Sequence, residues 1–366
     1  MTKQGGFKRA VRKRARESGQ RYTEARAAMD KGKSAVPLHR PFEHAAVKAH
    51  LEERYGIRIT SLASIDGHQP ATLRVHREDG PDWVARIFSH PADEVSCVEG
   101  DAEILRFLAL HDFPAERVAH DEPVSVLDGH GVLVTEFVEG GSPFSWTNPQ
   151  VTPAVQYELA GLLGRLHTLP AAGGAMARDG GSFGHDPGPY LGRPRADLAA
   201  AMSFLVSVED AVASHGREKF EWLRDQVENA DDGEGLPEAF THGNFHAKCA
   251  VGKRGNLVIV GWGGSGRGPR LPALAWLLWT THGAADHIEA IARAYREHVQ
   301  LTDEEMDRLA GVMNMRSLYL LCADYRASVR NGHTPTLDEP GFLSWRPDDG
   351  ERLAAQAIVA LGCDGS

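Results

Sequence analysis

Thr241-His-Gly-Asn-Phe-His-Ala-Lys-Cys249, followed seven residues later by Asn256-Leu-Val-Ile-Val-Gly-Trp-Gly263, is the part of the chain whose reading decides the fold. The first stretch gathers small and polar residues into a loop. The second is a short apolar strand that ends on glycines. Three chemistries compete for it. His242, His246 and Cys249 have spacing that suits Zn²⁺, but the stretch offers no fourth ligand. Gly261-Trp-Gly-Gly-Ser-Gly266 fits the dinucleotide pattern, with Asp286 further on. That reading needs more alternating strands, whereas the chain after 266 reads as helix and carries Pro269 and Pro272. Ser265 lies among glycines but lacks the frame of a nucleophile elbow.

The sequence around this stretch gives the organisation. Upstream, a helix at 43–54 precedes strand-like runs at 57–65, 71–75 and 83–88. A helix at 92–110 follows, carrying Val95, Val98, Ala102, Leu105 and Leu108 at helical spacing. Strands at 123–126 and 132–137 then run into a glycine joint at Gly140-Gly141. Downstream, helical periodicity dominates: 153–168, 195–214, 216–229, 272–282, 286–299 and 303–331, with one strand-like break at 256–260. This layout is α+β: an N-terminal antiparallel sheet with one helix, then a mainly helical lobe, as in the two-lobed kinase-like fold. The expected boundaries are a basic arm and linker at 1–40, an N-lobe at 41–139, a helical C-lobe at 140–332 and a tail at 333–366.

Composition excludes several classes. The chain has 366 residues, 42% apolar and 25% charged, as ordinary folded proteins do. Its longest apolar stretch, near Leu271, is too short to cross a bilayer, so no membrane partner is expected. Four separated cysteines read as free thiols in a reducing cytoplasm. Net charge is −10, but residues 1–33 hold 11 Lys and Arg against three acids. An acidic body should repel nucleic acid, so contact with phosphates falls to the arm. Lys8, Arg9, Arg12, Lys13, Arg14, Arg16, Arg21 and Arg26 are its candidate contacts, for RNA, DNA, a ribosome-like surface or an acidic protein.

Four segments, in order, carry a family resemblance. They are Val134-Thr-Glu-Phe-Val-Glu-Gly140, Leu159-Ala-Gly-Leu-Leu-Gly-Arg-Leu-His167 and the two stretches quoted at the outset. Together they resemble the hinge, the Leu-His helix, the catalytic loop and the metal-binding strand of aminoglycoside phosphotransferases and choline-kinase-like proteins. Gly266-Arg-Gly268 and Leu274-Ala275 continue the register. The resemblance implies a protein-kinase-like fold and ATP-dependent phosphoryl transfer to a small molecule. It also marks Thr135, Glu136 and Phe137 as hinge positions for a nucleotide. Val84-Ala-Arg-Ile87 resembles the strand with the phosphate-contacting cation, here Arg86, and Glu103 stands where the helix glutamate would pair with it.

The chemistry implied by the resemblance is missing at four positions. Where the family has a catalytic Asp, this chain has Asn244, whose amide accepts a hydrogen bond but takes up no proton near neutral pH. Cys249 replaces a metal-binding Asn, and its soft sulfur suits Mg²⁺ poorly. Gly261 replaces a metal-binding Asp, and Ala273 replaces a further Asp. Gly243, Phe245, Trp262 and Leu274 persist. The phosphate loop, Asp66-Gly-His-Gln-Pro-Ala71, has one glycine, and Pro70 offers no N–H. The expectation is a pseudokinase: a non-catalytic binding or regulatory module with no cofactor, neither ATP nor Mg²⁺, and a cleft for a small cation or a partner segment. The alternative is an ATP-dependent kinase of aminoglycosides or amino alcohols with atypical groups, such as Asp231, Asp232 or Glu234, in the cleft.

Overall fold

Short runs rich in Val, Ile, Leu and Thr, with turn residues between them, build five strands. They are β1 (Ile59–Ser64), β2 (Ala71–Arg77), β3 (Trp83–Ile87), β4 (Val124–Leu127) and β5 (His130–Glu136). They form one antiparallel sheet in the order β1-β2-β3-β5-β4. The register sets Arg86 of β3 opposite Leu133 and Val84 opposite Thr135 on β5. In this computed structural model the described residues are 42–65, 71–88, 95–141, 151–178, 194–339 and 347–362. The chain divides into two compact units, Met1–Ala49 and His50–Ser366. The described part of the first is the start of helix α1 (His44–Tyr55), and everything below concerns the second.

Helix α2 (Val95–Leu110) lies on the sheet. Val98, Ala102, Leu105 and Leu108 are buried, as their spacing predicts. The helix comes so close to β5 that a Cβ on Gly131 would lie 2.9 Å from Val98 Cγ2. Any larger residue would wedge the two apart.

The rest of the second unit is mainly helical. It contains α3 (Pro153–His167), α4 (Pro194–Val206), α5 (Arg217–Glu228), α6 (Leu271–Trp279), α7 (Ala285–Arg296), α8 (Asp303–Arg330) and α9 (Pro347–Gly362). Thr152 caps α3 ahead of Pro153, where a missing N–H costs nothing. The apolar stripe of α8 is core, as its period requires. Leu309, Val312 and Met313 join one cluster with α3, α6, α7 and α9, and Leu318, Tyr319 and Cys322 join a second with α4 and α5. The start of α8 is tied twice. Thr302 and Glu305 form a reciprocal capping box, with Thr302 N to Glu305 Oε2 at 2.8 Å. Both oxygens of the fully buried Glu305 also accept from Arg270, each at 2.8 Å.

Two expectations need correction. The helical lobe has more than one strand-like break. Strands β6 (Glu238–Thr241) and β9 (Gly266–Pro269) pair, as do β7 (Ala250–Val251) and β8 (Val258–Ile259). These strands have two to four residues, too few for a period to register. The region after 333 is also not a plain tail, because α9 packs on α7 and α8 through Leu353, Ala354, Ala357 and Leu361. Among the described residues no helix is long and apolar enough to cross a membrane.

Candidate functional site

The two small sheets set the site. The loop 242–249 connects β6 to β7, and the turn 260–265 connects β8 to β9. His242 bolts one to the other. Its ring is fully buried, its Nε2 donates to Val260 O at 3.1 Å, and its Nδ1 accepts from Asn244 N at 3.4 Å. The ring meets Trp262 edge-on at 4.6 Å. Burial lowers its pKa to about 4, so it is neutral at pH 7 and matches this donor–acceptor pattern. Trp262 donates through Nε1 to Ile259 O at 3.0 Å and is buried against Phe113 and Phe240.

The zinc trio does not assemble. His246 Nδ1 accepts from Lys248 N at 3.4 Å, and the Cys249 thiol donates to Asn244 O at 3.0 Å. Burial pushes that thiol up to about 12, away from the thiolate a metal would need. Among the described residues no cluster of three His, Cys, Asp or Glu side chains could hold a metal ion. The dinucleotide pattern fails as well. Trp262–Gly264 is a short 3₁₀ turn leading into β9, and no helix follows until α6.

On the α8 side of the cleft, Asn244 Oδ1 accepts from Arg316 Nη2 at 3.1 Å. Arg316 is 6% exposed and lies over the Trp276 ring, 5.1 Å from its centroid. Trp276 in turn stacks on Trp279 at 5.0 Å. Burial pulls the guanidinium pKa well down, and the Asp197 carboxylate opposes that shift. Asp197, Phe245, Ala273, Trp276, Met315 and Arg316 line a cavity of about 30 Å³. That is room for about two waters.

On the β3 side, the structure corrects the partner of Arg86. Its Nη2 donates to Glu116 Oε2 at 2.5 Å, not to Glu103. Glu103 lies on the exposed face of α2 and accepts from Ala175 N at 3.1 Å. The buried acid of α2 is Asp101, which accepts from Arg178 Nη2 at 2.5 Å. Burial, opposed by Arg178, raises Asp101 to about 6. Arg178 also donates to Ser265 O at 2.7 Å and Cys97 O at 3.2 Å, so it ties α2 to the 260–265 turn.

Glu116 was missed by sequence reasoning. It is 2% exposed and lies between α2 and β4, fixed by its own N–H on Ile259 O at 3.1 Å. Its Oε2 also accepts from Thr135 Oγ1 at 3.1 Å, and its Oε1 accepts from Gly261 N at 2.9 Å. Gly261 has φ +85°, and a Cβ there would meet no atom within 4 Å. Open space thus lies where a side chain at position 261 would project.

Of the hinge positions, Thr135 turns inward to Glu116. Glu136 is exposed, with its N–H on Arg117 O, and Phe137 lies under the Arg74 guanidinium at 3.7 Å. Asp231, offered as a displaced acid, is held by Arg308 at 2.7 Å, and Asp232 Oδ1 accepts from Glu234 N at 3.0 Å. The residues 66–70 of the phosphate loop lie outside the described residues. So do Lys8, Arg9, Arg12, Lys13, Arg14, Arg16, Arg21 and Arg26.

Comparison with known proteins adds the following. The sequence model of the phosphotransferase enzyme family matches residues 63–312, more than half of the chain. A search of curated proteins finds no significant match. Among solved structures, an amicoumacin kinase in complex with AMP-PNP, Ca²⁺ and Ami is 11% identical, covering 87% of this chain and 96% of its own, with a TM-score of 0.54. An aminoglycoside phosphotransferase from Streptomyces rimosus with ADP and streptomycin is 18% identical, covering 76% and 99%, with a TM-score of 0.51. A macrolide 2'-phosphotransferase from Brachybacterium faecium is 18% identical, covering 84% and 96%, with a TM-score of 0.50. At these identities the likeness is one of fold.

Proposed function

Because the chain belongs to the phosphotransferase enzyme family, we propose that it is a non-catalytic member, a pseudokinase whose folded body acts in the cytoplasm as a binding or regulatory module. The observation that carries this reading is the engagement of Glu116. Position 261 has no side chain. The acid that touches that turn instead is already bound by Arg86, Thr135 and Gly261 N. The donor set does not fit Mg²⁺, which takes hard oxygen ligands in octahedral geometry. Cys249 offers a protonated thiol, and the Asn244 oxygen is held by Arg316. The reading therefore includes neither Mg²⁺ nor ATP as a cofactor.

The acceptor cavity has room for one amine-sized group, which would meet Asp197 opposite Arg316. That size excludes an amino-sugar; a small cation is the proposed occupant, and it would have to share Asp197 with Arg316. The arm at 1–33, with its excess of eight positive charges, is proposed to contact nucleic acid, a ribosome-like surface or an acidic protein. RNA binding that is strong at low salt, falls steeply with salt and is lost on deletion of 1–33 would bear this out. Unchanged binding after deletion would refute it.

The deciding experiment measures Mg²⁺-dependent ATP turnover over a panel of aminoglycosides and amino alcohols. The expected outcome is no turnover above that of the Asn244→Ala variant. Turnover that Asn244→Ala or Arg86→Met abolishes would establish the alternative, an active phosphotransferase with atypical groups, which family membership supports.

A further inference from the structure

Three donors from three separate elements converge on one carboxylate. Arg86 Nη2 comes from β3, Thr135 Oγ1 from β5 and Gly261 N from the turn after β8. This is an anion site by construction. A guanidinium supplies charge, and a fully buried hydroxyl supplies direction. The left-handed Gly261, followed by the 3₁₀ turn at Trp262, is the kind of backbone pair whose N–H groups form an anion-holding nest.

The occupant comes from the chain itself. Glu116 is held from behind by its N–H on Ile259 O, and Ile259 N donates to Pro114 O at 2.8 Å. Its carboxylate is almost sealed, whereas the Arg86 side chain keeps 14% of its surface exposed. The space beside Gly261 is also open. Solvent-borne groups can therefore approach the donors from a side that Glu116 does not cover. Charge is balanced as it stands. The second acid nearby, Asp101, has its own partner in Arg178. An external anion that joined without displacing anything would leave an uncompensated negative charge beside two buried carboxylates, which is costly at low dielectric.

We propose that Glu116 is an internal ligand of an anion site formed by Arg86, Thr135 and Gly261, and that a phosphate-bearing ligand binds there only in exchange for the Glu116 carboxylate. This goes beyond catalytic silence but rests on the same engagement of Glu116 by Arg86 and Gly261. The two are told apart by their readouts, since exchange is read as binding without divalent cation and silence as the absence of turnover with it.

The test is calorimetric titration of the full chain, without divalent cation, with ATP in one arm and inorganic tripolyphosphate in the other. Glu116→Gln should bind tripolyphosphate at least roughly tenfold more tightly than the unmodified chain, the scale of one released charge-assisted hydrogen bond. Adding Arg86→Met should remove the gain. A matching gain in ATP affinity would assign the site to nucleotide phosphates, and a gain confined to tripolyphosphate would assign it to free polyphosphate. In Glu116→Ala, acetate should compete with tripolyphosphate. Equal affinity in the unmodified chain and Glu116→Gln, no binding by either, or a gain that survives Arg86→Met would each overturn the proposal. If Glu116→Gln and Glu116→Ala fail to fold, Glu116→Asp, which keeps the charge but draws the carboxylate back from all three donors, should give a smaller gain of about threefold. Its absence would be equally decisive.

Discussion

On the β3 side of the cleft, Arg86 and Arg178 are each answered by a buried acid, Glu116 and Asp101, at 2.5 Å. On the α8 side, Arg316 is answered at 3.1 Å by the amide of Asn244, with the Asp197 charge acting alongside. The first arrangement is charge against charge, and losing one member strands the other. The second is charge against dipole, which either partner can lose at lower cost. In this chain one side holds its charges in internal pairs, and the other sets a charge against an amide.

The sharpest way to break this contrast is Glu116→Ala. Stranding the partly buried Arg86 should lower unfolding free energy by about 3 kcal/mol in chemical denaturation, whereas Asn244→Ala should cost about 1 kcal/mol. Equal costs would erase the distinction. Acid provides a second probe. Burial holds His167 and His246 to about 3 and His242 to about 4, below the ordinary histidine value. Their contribution to stability is complete above pH 6.5 and is lost as pH falls below it. Asp101, raised to about 6, acts in the opposite sense, because its contribution is present below about pH 4 and is lost as pH rises through 6. Three groups outweigh one. Between pH 6 and 5, stability should fall by about 2–3 kcal/mol, from roughly two net protons bound on unfolding. Asp101→Asn should steepen this slope, as measured by denaturant melts at the two pH values.

Smaller effects sharpen the α8 side. Arg316→Met, which keeps bulk over Trp276 and removes the charge, should cost about 1.5–3 kcal/mol because Asp197 loses its counter-charge. Asn244→Asp should do the reverse and gain about 1 kcal/mol or less by completing an ion pair with Arg316. It should restore no ATP turnover, since the new carboxylate would be bound by the guanidinium and not left to accept a proton. Detectable turnover in that variant would show that Arg316 yields to substrate.

Much of this was legible in the chain. The long α8 followed its period, because one buried face repeated over enough residues to count, and the five sheet strands followed their apolar runs and the turn residues between them. The four short strands did not, and Gly266-Arg-Gly-Pro269 has none of the β-branched residues that mark a strand. The loop and turn positions 244, 249 and 261 came from the family resemblance, and the structure brings them to one place. The acids of the site were misread for two reasons. Glu103 and Asp101 are two positions apart on a helix, so they face different ways. Asp101 shares the buried stripe with Val98 and Leu105, three and four residues away, and that periodicity was the available signal. Glu116 gave no such signal. It lies in an irregular segment, 30 residues from Arg86 and 145 from Gly261, and only folding brings them together.

The double tie at the start of α8 has a mechanical consequence. A continuous helix transmits rotation and translation along its axis, and Arg316 lies 14 residues beyond Thr302, about 21 Å at 1.5 Å per residue. The Thr302–Glu305–Arg270 clasp is therefore the anchor of a helix that, half-way along its length, presents a guanidinium to Asn244. Slackening that anchor would retune the cleft without touching any residue that lines it.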